Sequence, residues 1–253
     1  MSAPAPRLRL LLVGYGRMGR LVDALSASYG FDVVGRFDEV NNAGGAGVAA
    51  LAGTEADVAI DFSVADALVD NLPRLAALGM NAVVGTTGWQ ADEARLRALA
   101  AEAGIGVVAA PNFSVGVALF QAAVEASAGL FAGRPDYGAW IHEIHHAAKR
   151  DAPSGTALAL RAAMQHGGYT LGIDMASSRA GHVPGTHTVG FDGPSETVTL
   201  THTVRDRSTF AHGALTAARW LHGRRGWFGM RDVLGIRPPD ASVPSTSNSG
   251  EPQ

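Results

Sequence analysis

Leu8-Arg9-Leu10-Leu11-Leu12-Val13-Gly14-Tyr15-Gly16-Arg17-Met18-Gly19-Arg20 decides the fold of this chain. Leu8 to Val13 is a short apolar run of the length a buried strand needs. Gly14, Gly16 and Gly19 follow with G-x-G-x-x-G spacing, and Met18, Leu21, Val22 and Leu25 then recur at helical intervals. Strand, glycine turn and helix in this order open a dinucleotide-binding unit. The glycines let the backbone turn tightly and approach a pyrophosphate, and the helix N-terminus faces its negative charge. Glycine-rich strand-to-helix turns also serve packing, so the motif needs support. The next strand, Phe31 to Phe37, supplies it by ending in Asp38, where an acid can hydrogen-bond the adenosine ribose hydroxyls. Arg36 leaves the cofactor open: an acid repels a ribose 2′-phosphate and an arginine attracts it, so the pair permits NADH or NADPH. Alternation along the strand sets Arg36 on the opposite face from Phe37, consistent with a solvated side chain.

Outward from this unit, strand and helix alternate. Val58 to Ile60 is a buried strand ending in Asp61-Phe62-Ser63. A helix with Ala67, Leu68, Leu72 and Leu75 on one stripe follows, and Pro73 marks an expected kink or break. Asn81 to Val84 ends in Gly85-Thr86-Thr87-Gly88; after a helix from Asp92 to Ala103, Gly106 to Ala109 ends in Pro111-Asn112-Phe113-Ser114. This pattern predicts an α/β fold with a Rossmann-like doubly wound parallel sheet. Its polar loops all follow strand C-termini, the edge where such sheets bind ligands.

Beyond Ser114 comes a long helix, and then the character changes. Tyr137 to His146, Thr186 to Val189 and Thr197 to Val204 read as strands with alternating polar residues, predicting a second α+β domain with an open mixed sheet. Phe210 to Leu221 reads as a helix, and the apolar segment Trp227 to Leu234 is expected to return to the first domain. The expected division is residues 1–114 with 208–240 for the dinucleotide and 115–207 for the substrate. The tail, 241–253, lacks periodicity and is expected to be disordered.

Composition narrows the function. The 253 residues carry 20 basic and 23 acidic side chains, a formal charge of −3 with histidine neutral. That gives no electrostatic case for nucleic acid or an anionic membrane. No apolar run approaches the roughly 18 residues of a membrane span, and no signal peptide is read, so a cytoplasmic protein is expected. There is no cysteine, which excludes disulfides and thiolate chemistry.

The chemistry is concentrated in His142-Glu143-Ile144-His145-His146-Ala147-Ala148-Lys149-Arg150-Asp151-Ala152-Pro153-Ser154-Gly155-Thr156-Ala157. Histidines and a lysine are tunable proton donors near neutral pH, and Pro-Ser-Gly-Thr is a helix opening whose N–H groups can hold an anion. The arrangement suits a small acidic substrate that is protonated as it reacts. Asp151 is expected to organise the loop or cap the helix. Glu143 is expected to orient a histidine or face water. His142, His182, His187, His202, His212 and His222 default to structural or surface roles.

His142 to His146 also fits H-E-x-x-H, the zinc-hydrolase pattern. On a helix the two histidines would rise only about 6 Å apart and could share an ion. Tyr137 to Ile144 is rich in strand formers, however, and four strand residues span roughly 13 Å. With Zn–N bonds of about 2 Å, one ion could not reach both, so no metal is expected.

At Glu143 to Ala157 the chain resembles the signature E-x-H-H-x-x-K-x-D-A-P-S-G-T-A of the 4-hydroxy-tetrahydrodipicolinate (dihydrodipicolinate) reductase family, with every fixed position present. Val13 to Arg20, Ile60 to Ser63, Gly85 to Gly88, Pro111 to Gly116, Pro184 to Val189 and Arg207 to Leu221 resemble family segments in the same order. Tyr15 stands where the longer members have a second glycine, and the chain is short before Asp61; both features resemble the family's compact branch. The resemblance implies an NADH- or NADPH-dependent reductase of a cyclic imine dicarboxylate in the diaminopimelate route to lysine. It implies His145 as acid/base group, Lys149 as proton donor, and His146, Gly155 and Thr156 as substrate carboxylate ligands. It places the cofactor on Gly14, Tyr15, Gly16, Arg17, Met18, Gly19, Asp38, Gly85, Thr86, Thr87, Ala110, Pro111, Asn112 and Phe113. It further implies a homotetramer built through the second domain's sheet. The competing readings are a reductase of another imine or keto acid, a nucleotide-binding regulator without turnover, and the zinc hydrolase.

Overall fold

The computed structural model describes residues 7–51 and 56–237, so the tail expected to be disordered lies outside the described residues. The elements run β1 (Leu8–Val13), α1 (Arg17–Ser26), β2 (Phe31–Phe37), α2 (Ala46–Ala49), β3 (Val58–Asp61), α3 (Ala65–Ala77), β4 (Asn81–Val84), α4 (Glu93–Ala103) and β5 (Gly106–Ala109). Then come α5 (Val115–Phe131), β6 (Gly138–His145), α6 (Gly155–His166), β7 (Ile173–Arg179), β8 (Thr186–Asp192), β9 (Thr197–Thr203), α7 (Ser208–Leu221), β10 (Gly226–Phe228) and α8 (Met230–Val233).

Six strands form a parallel sheet in the order β10-β5-β4-β3-β1-β2. It is buried on both faces, as its near-continuous apolar strands require. Alternation within β1 shows how: Leu10 and Leu12 pack with Val22 of α1 and Leu215 and Leu221 of α7. Leu11 and Val13 pack on the other side with Leu68, Leu72 and Leu75 of α3 and Leu96 of α4. β1 lies between β2 and β3, so the chain leaves it in opposite directions, and this switch point opens a crevice at the strand C-termini. The segment Trp227 to Leu234 does return here, with β10 pairing in parallel with β5.

α3 runs through Pro73 without the break that was one of the two expectations. The proline removes one backbone hydrogen bond, but Leu68, Leu72 and Leu75 are each fully buried, and that tertiary packing holds the helix together.

The second sheet has four strands in the order β7-β6-β8-β9, with β7 parallel to β6 and the other pairs antiparallel. β7 has no counterpart in the sequence reading. Along β6, Ala139, Ile141, Glu143 and His145 are buried, whereas Trp140, His142 and Ile144 are only partly so. The apolar part of the buried face meets α5 and α6 through Val124, Leu160 and Met164. Its far end is not apolar at all, because Glu143 and His145 stand there. Glu125 of α5, 1% exposed, holds His166 Nδ1 of α6 at 2.6 Å and also Arg231 of α8, tying the chain's last described helix to the second half.

Candidate active site

Gly14 shows why the first turn needs glycine. Its φ is +84°, and a Cβ there would lie 2.4 Å from the Phe62 carbonyl carbon, so the loops after β1 and β3 touch backbone to backbone. Gly19 packs the helix start against the turn, where a Cβ would lie 2.5 Å from the Gly14 oxygen. A Cβ on Gly16 would meet nothing within 4 Å, so the middle of the motif faces open space. These are the three roles of a dinucleotide fingerprint: turn, packing and close approach.

Three adjoining clefts, all lined by Phe62, follow the C-terminal edge of the parallel sheet. The first, about 450 Å³, contains Gly14, Tyr15, Gly16 and Asp38. The second, about 420 Å³, contains Arg17, Met18, Gly85, Thr86 and Thr87. The third, about 830 Å³, brings Arg17, Met18, Gly85, Pro111, Asn112 and Phe113 together with His145, His146, Lys149 and Thr156 of the second half. Three of the expected residues line none of these clefts. Gly19 is buried behind the turn, Ala110 packs against the core, and Gly155 begins α6 beside Thr156.

The loops are held by an acid the sequence reading left unassigned. Asp61 is fully buried and accepts from Ser63 N at 2.9 Å, Ser63 Oγ at 2.6 Å, Thr86 Oγ1 at 2.8 Å and Asn71 Nδ2 at 3.3 Å. It joins the loops after β3 and β4. Burial raises its carboxyl above the usual range despite these donors.

Glu143 plays the matching role in the second half. It is 1% exposed, and its Oε1 accepts from Ser154 N at 2.9 Å, Ser177 Oγ at 2.7 Å and Arg179 Nη2 at 2.7 Å. Its Oε2 lies 3.1 Å from His145 Nδ1 and 3.5 Å from His187 Nε2. Burial alone would raise this carboxyl, but the bonds from Ser154, Arg179 and Ser177 outweigh it and bring it down to about 2. Glu143 therefore lies buried beside a histidine and does not face water. Burial is the main cause that lowers His145, against the pull of Glu143, while burial and His145 bring His187 down to about 4. The two rings meet edge to face at 5.0 Å.

Ser154 caps α6 by accepting from Ala157 N at 3.2 Å. Asp151 takes Lys149 Nζ at 2.7 and 2.9 Å, which keeps the lysine in the loop and lowers the acid. The start of α6, with Thr156 in the cleft, offers backbone N–H groups to an anion beside two imidazoles and an ammonium. Arg150, His182, Arg205 and Arg207 also line this cleft. Sequence reasoning gave the three arginines no role and expected His182 to be structural or at the surface, although Arg207 opens a segment that resembles the reductase family.

The H-E-x-x-H pair is not assembled. His142 lies on the other face of β6 from Glu143 and bonds Ser178 Oγ at 3.0 Å, while His146 lines the cleft. Glu143, His145 and His187 do place three ligand atoms within 4.8 Å of one another. Arg179 already pairs with that carboxylate, however, and its positive charge opposes a dication there. The set therefore fits a carboxylate paired with arginine and flanked by two imidazoles better than a metal centre.

Residues 8–113 match the family model for the N-terminal part of dihydrodipicolinate reductase, and residues 116–234 match that for its C-terminal part. The chain is 36% identical over 239 residues to the 4-hydroxy-tetrahydrodipicolinate reductase of Christiangramia forsetii, covering 90% of this chain and 98% of that protein. It is 37% identical over 271 residues to the one from Laribacter hongkongensis, covering 91% and 99%. Among solved structures it resembles dipicolinate-bound dihydrodipicolinate reductase from Paenisporosarcina sp. TG-14, with a TM-score of 0.76 at 20% identity over 91% of this chain and all of that one. Amine dehydrogenase from Mycobacterium smegmatis shares the fold at a TM-score of 0.59 and 14% identity, covering 90% of this chain and 96% of that one. With both halves matched over nearly the whole length, the chain belongs to the dihydrodipicolinate reductase family.

Proposed function

We propose that this protein reduces 4-hydroxy-tetrahydrodipicolinate to tetrahydrodipicolinate with loss of water, using NADH or NADPH, in the diaminopimelate route to lysine. One observation carries the reading: the largest cleft joins the glycine-turn and strand-end loops of the parallel sheet to His145, His146, Lys149 and Thr156. When bound, the dinucleotide supplies the hydride that reaches ring carbon C4.

The chain's own residues supply the rest. His146 and the start of α6, Gly155 and Thr156, hold a substrate carboxylate, the helix N-terminus acting as a fixed positive pole. His145 is the acid/base group at the ring, and Glu143 fixes its orientation. Negative charge appears on the ring as hydride adds to the conjugated imine, and Lys149 donates the proton that completes the product. The Asp151 partner keeps Lys149 in the cleft before the substrate arrives. The division of labour follows the two sheets: residues 1–114 and 208–240 take the dinucleotide and 115–207 the substrate. The partly buried outer residues of β6 support assembly through the second sheet, and the expected species is a cytoplasmic homotetramer.

The test is NAD(P)H oxidation by purified protein with 4-hydroxy-tetrahydrodipicolinate generated in place, against a panel of keto acids and other imines. Oxidation with the cyclic imine alone is expected. Equal turnover of a keto acid, or tight cofactor binding without turnover of the imine, would overturn the assignment. Light scattering checks the assembly, with four times the 26.1 kDa chain mass expected.

A further inference from the structure

We propose that Asp23 sets the cofactor preference by holding Arg36 away from the adenosine cleft, so that the protein favours NADH over NADPH. The proposal rests on reading the cleft around Gly14 and Asp38 as the dinucleotide site. Asp38 lines it with Oδ1 already held by Val40 N at 2.9 Å and Asn41 N at 3.0 Å. Among the described residues its Oδ2 makes no hydrogen bond, which leaves that oxygen for ribose hydroxyls. Glu39 lines the same cleft. A 2′-phosphate brought here would add up to about two negative charges beside two carboxylates, and a nearby cation would have to offset them.

Arg36 is the cation placed to do so. Arg36 lies in β2 two residues before Asp38, and its side chain is not among those lining the cleft. Its guanidinium is committed elsewhere. Arg36 Nε and Nη2 donate to Asp23 Oδ2 and Oδ1 at 2.7 and 2.8 Å, a two-point grip, and the Tyr15 hydroxyl donates to the same carboxylate. The Asp23 side chain is 17% exposed and that of Arg36 45%, so the carboxylate is the sheltered member and the two-point geometry, not burial, holds the guanidinium. Arg36 also lies 5.9 Å from the centre of the Tyr15 ring. Its hydrogen bonds hold the Asp23 carboxyl below the usual range, so the grip persists at neutral pH. Arg20 reaches the same cleft, but it also lines the space beside Gly16 and Arg17 at the helix start. From that position, beside the glycine turn, it would serve the diphosphate that both cofactors carry.

The test measures Kd for NADH and for NADPH by nucleotide fluorescence on the whole protein without the imine. Wild type, Asp23→Asn, Arg36→Ala and the double variant are compared. Wild type is expected to bind NADH at least about tenfold more tightly than NADPH. Asp23→Asn frees Arg36 and moves the ratio toward NADPH by about tenfold. Arg36→Ala leaves the wild-type ratio unchanged, and the double variant returns to it. Wild type favouring NADPH, a selective loss of NADPH binding in Arg36→Ala, or an unmoved ratio in folded Asp23→Asn would each overturn the proposal. Arg36→Ala decides alone if Asp23→Asn does not fold. Because no imine is present, these ratios stand even if turnover of the imine fails.

Discussion

His145 Nδ1 lies 3.1 Å from Glu143 Oε2, and Nε2, beside Gly185, is the ring nitrogen without a carboxylate partner. The buried carboxylate acts on this edge of the imidazole through its charge. Glu143→Gln is expected to lower kcat by about 10²-fold with little change in NADH affinity. The negative charge of Glu143 also favours protonated His145. The variant's high-pH limb, where the acid is lost, is therefore expected to move to lower pH. An unchanged pH profile would restrict Glu143 to a structural role.

Lys149→Ala is expected to lower kcat by about 10²- to 10⁴-fold, the usual range for a lost proton donor. NADH binding should hardly change, because Lys149 sits in the loop before α6 and not in the glycine turn. Single-turnover kinetics beside equilibrium binding separates the two effects, and a normal kcat would remove Lys149 from the reaction.

Acid should destabilise the second half in two windows. His187 has a folded pKa of about 4, below its ordinary value of 6.5, so the unfolded chain binds more protons between those values. Its contribution is present above pH 6.5 and is lost as pH falls toward 4, on the order of 3 kcal/mol. Glu143 adds stability above its ordinary value of 4.5, lost as pH falls through about 2. Thermal melts of wild type and His187→Gln across pH 4 to 7 are expected to converge toward the acid end.

Two glycines of one motif should respond differently. Gly14→Ala forces a side chain into the Phe62 backbone at positive φ and is expected to cost about 1–3 kcal/mol in urea unfolding. Gly16→Ala meets no protein atom within 4 Å and should melt like wild type. It should nonetheless weaken NADH binding if the pyrophosphate takes the open space there, as the glycine spacing predicts. Normal binding by folded Gly16→Ala would displace the pyrophosphate from this turn.

Much of this was legible in the sequence because it is local. β1 to β5 are short apolar runs bounded by turn residues, and their periodicity states strand and helix directly. His145, His146, Lys149 and Thr156 could be read together because one short segment carries them. β7 was not legible: Asp174, Ser177 and Ser178 blur its alternation, and its pairing with β6 is a long-range event. Nor were the partners of Glu143, since Ser177 and Arg179 come from β7 and His187 from β8. Asp23 and Arg36 fall on a helix and the following strand, and only the packing of α1 against β2 shows that they meet. Pro73 misled because proline rules describe an isolated helix, whereas α3 is held by its buried leucines.

The position of α7 and β10 bears on how the protein is made. Leu215, Ala218 and Leu221 cover Leu10, Leu12, Ile60 and Val108, yet they are translated after the whole second sheet. As the chain leaves the ribosome, this side of the nucleotide-binding sheet is covered only in part, by α1, until residues 208–221 are made. A fragment ending near residue 113 would keep that side exposed and is expected to aggregate. The half that begins first is therefore the half finished last.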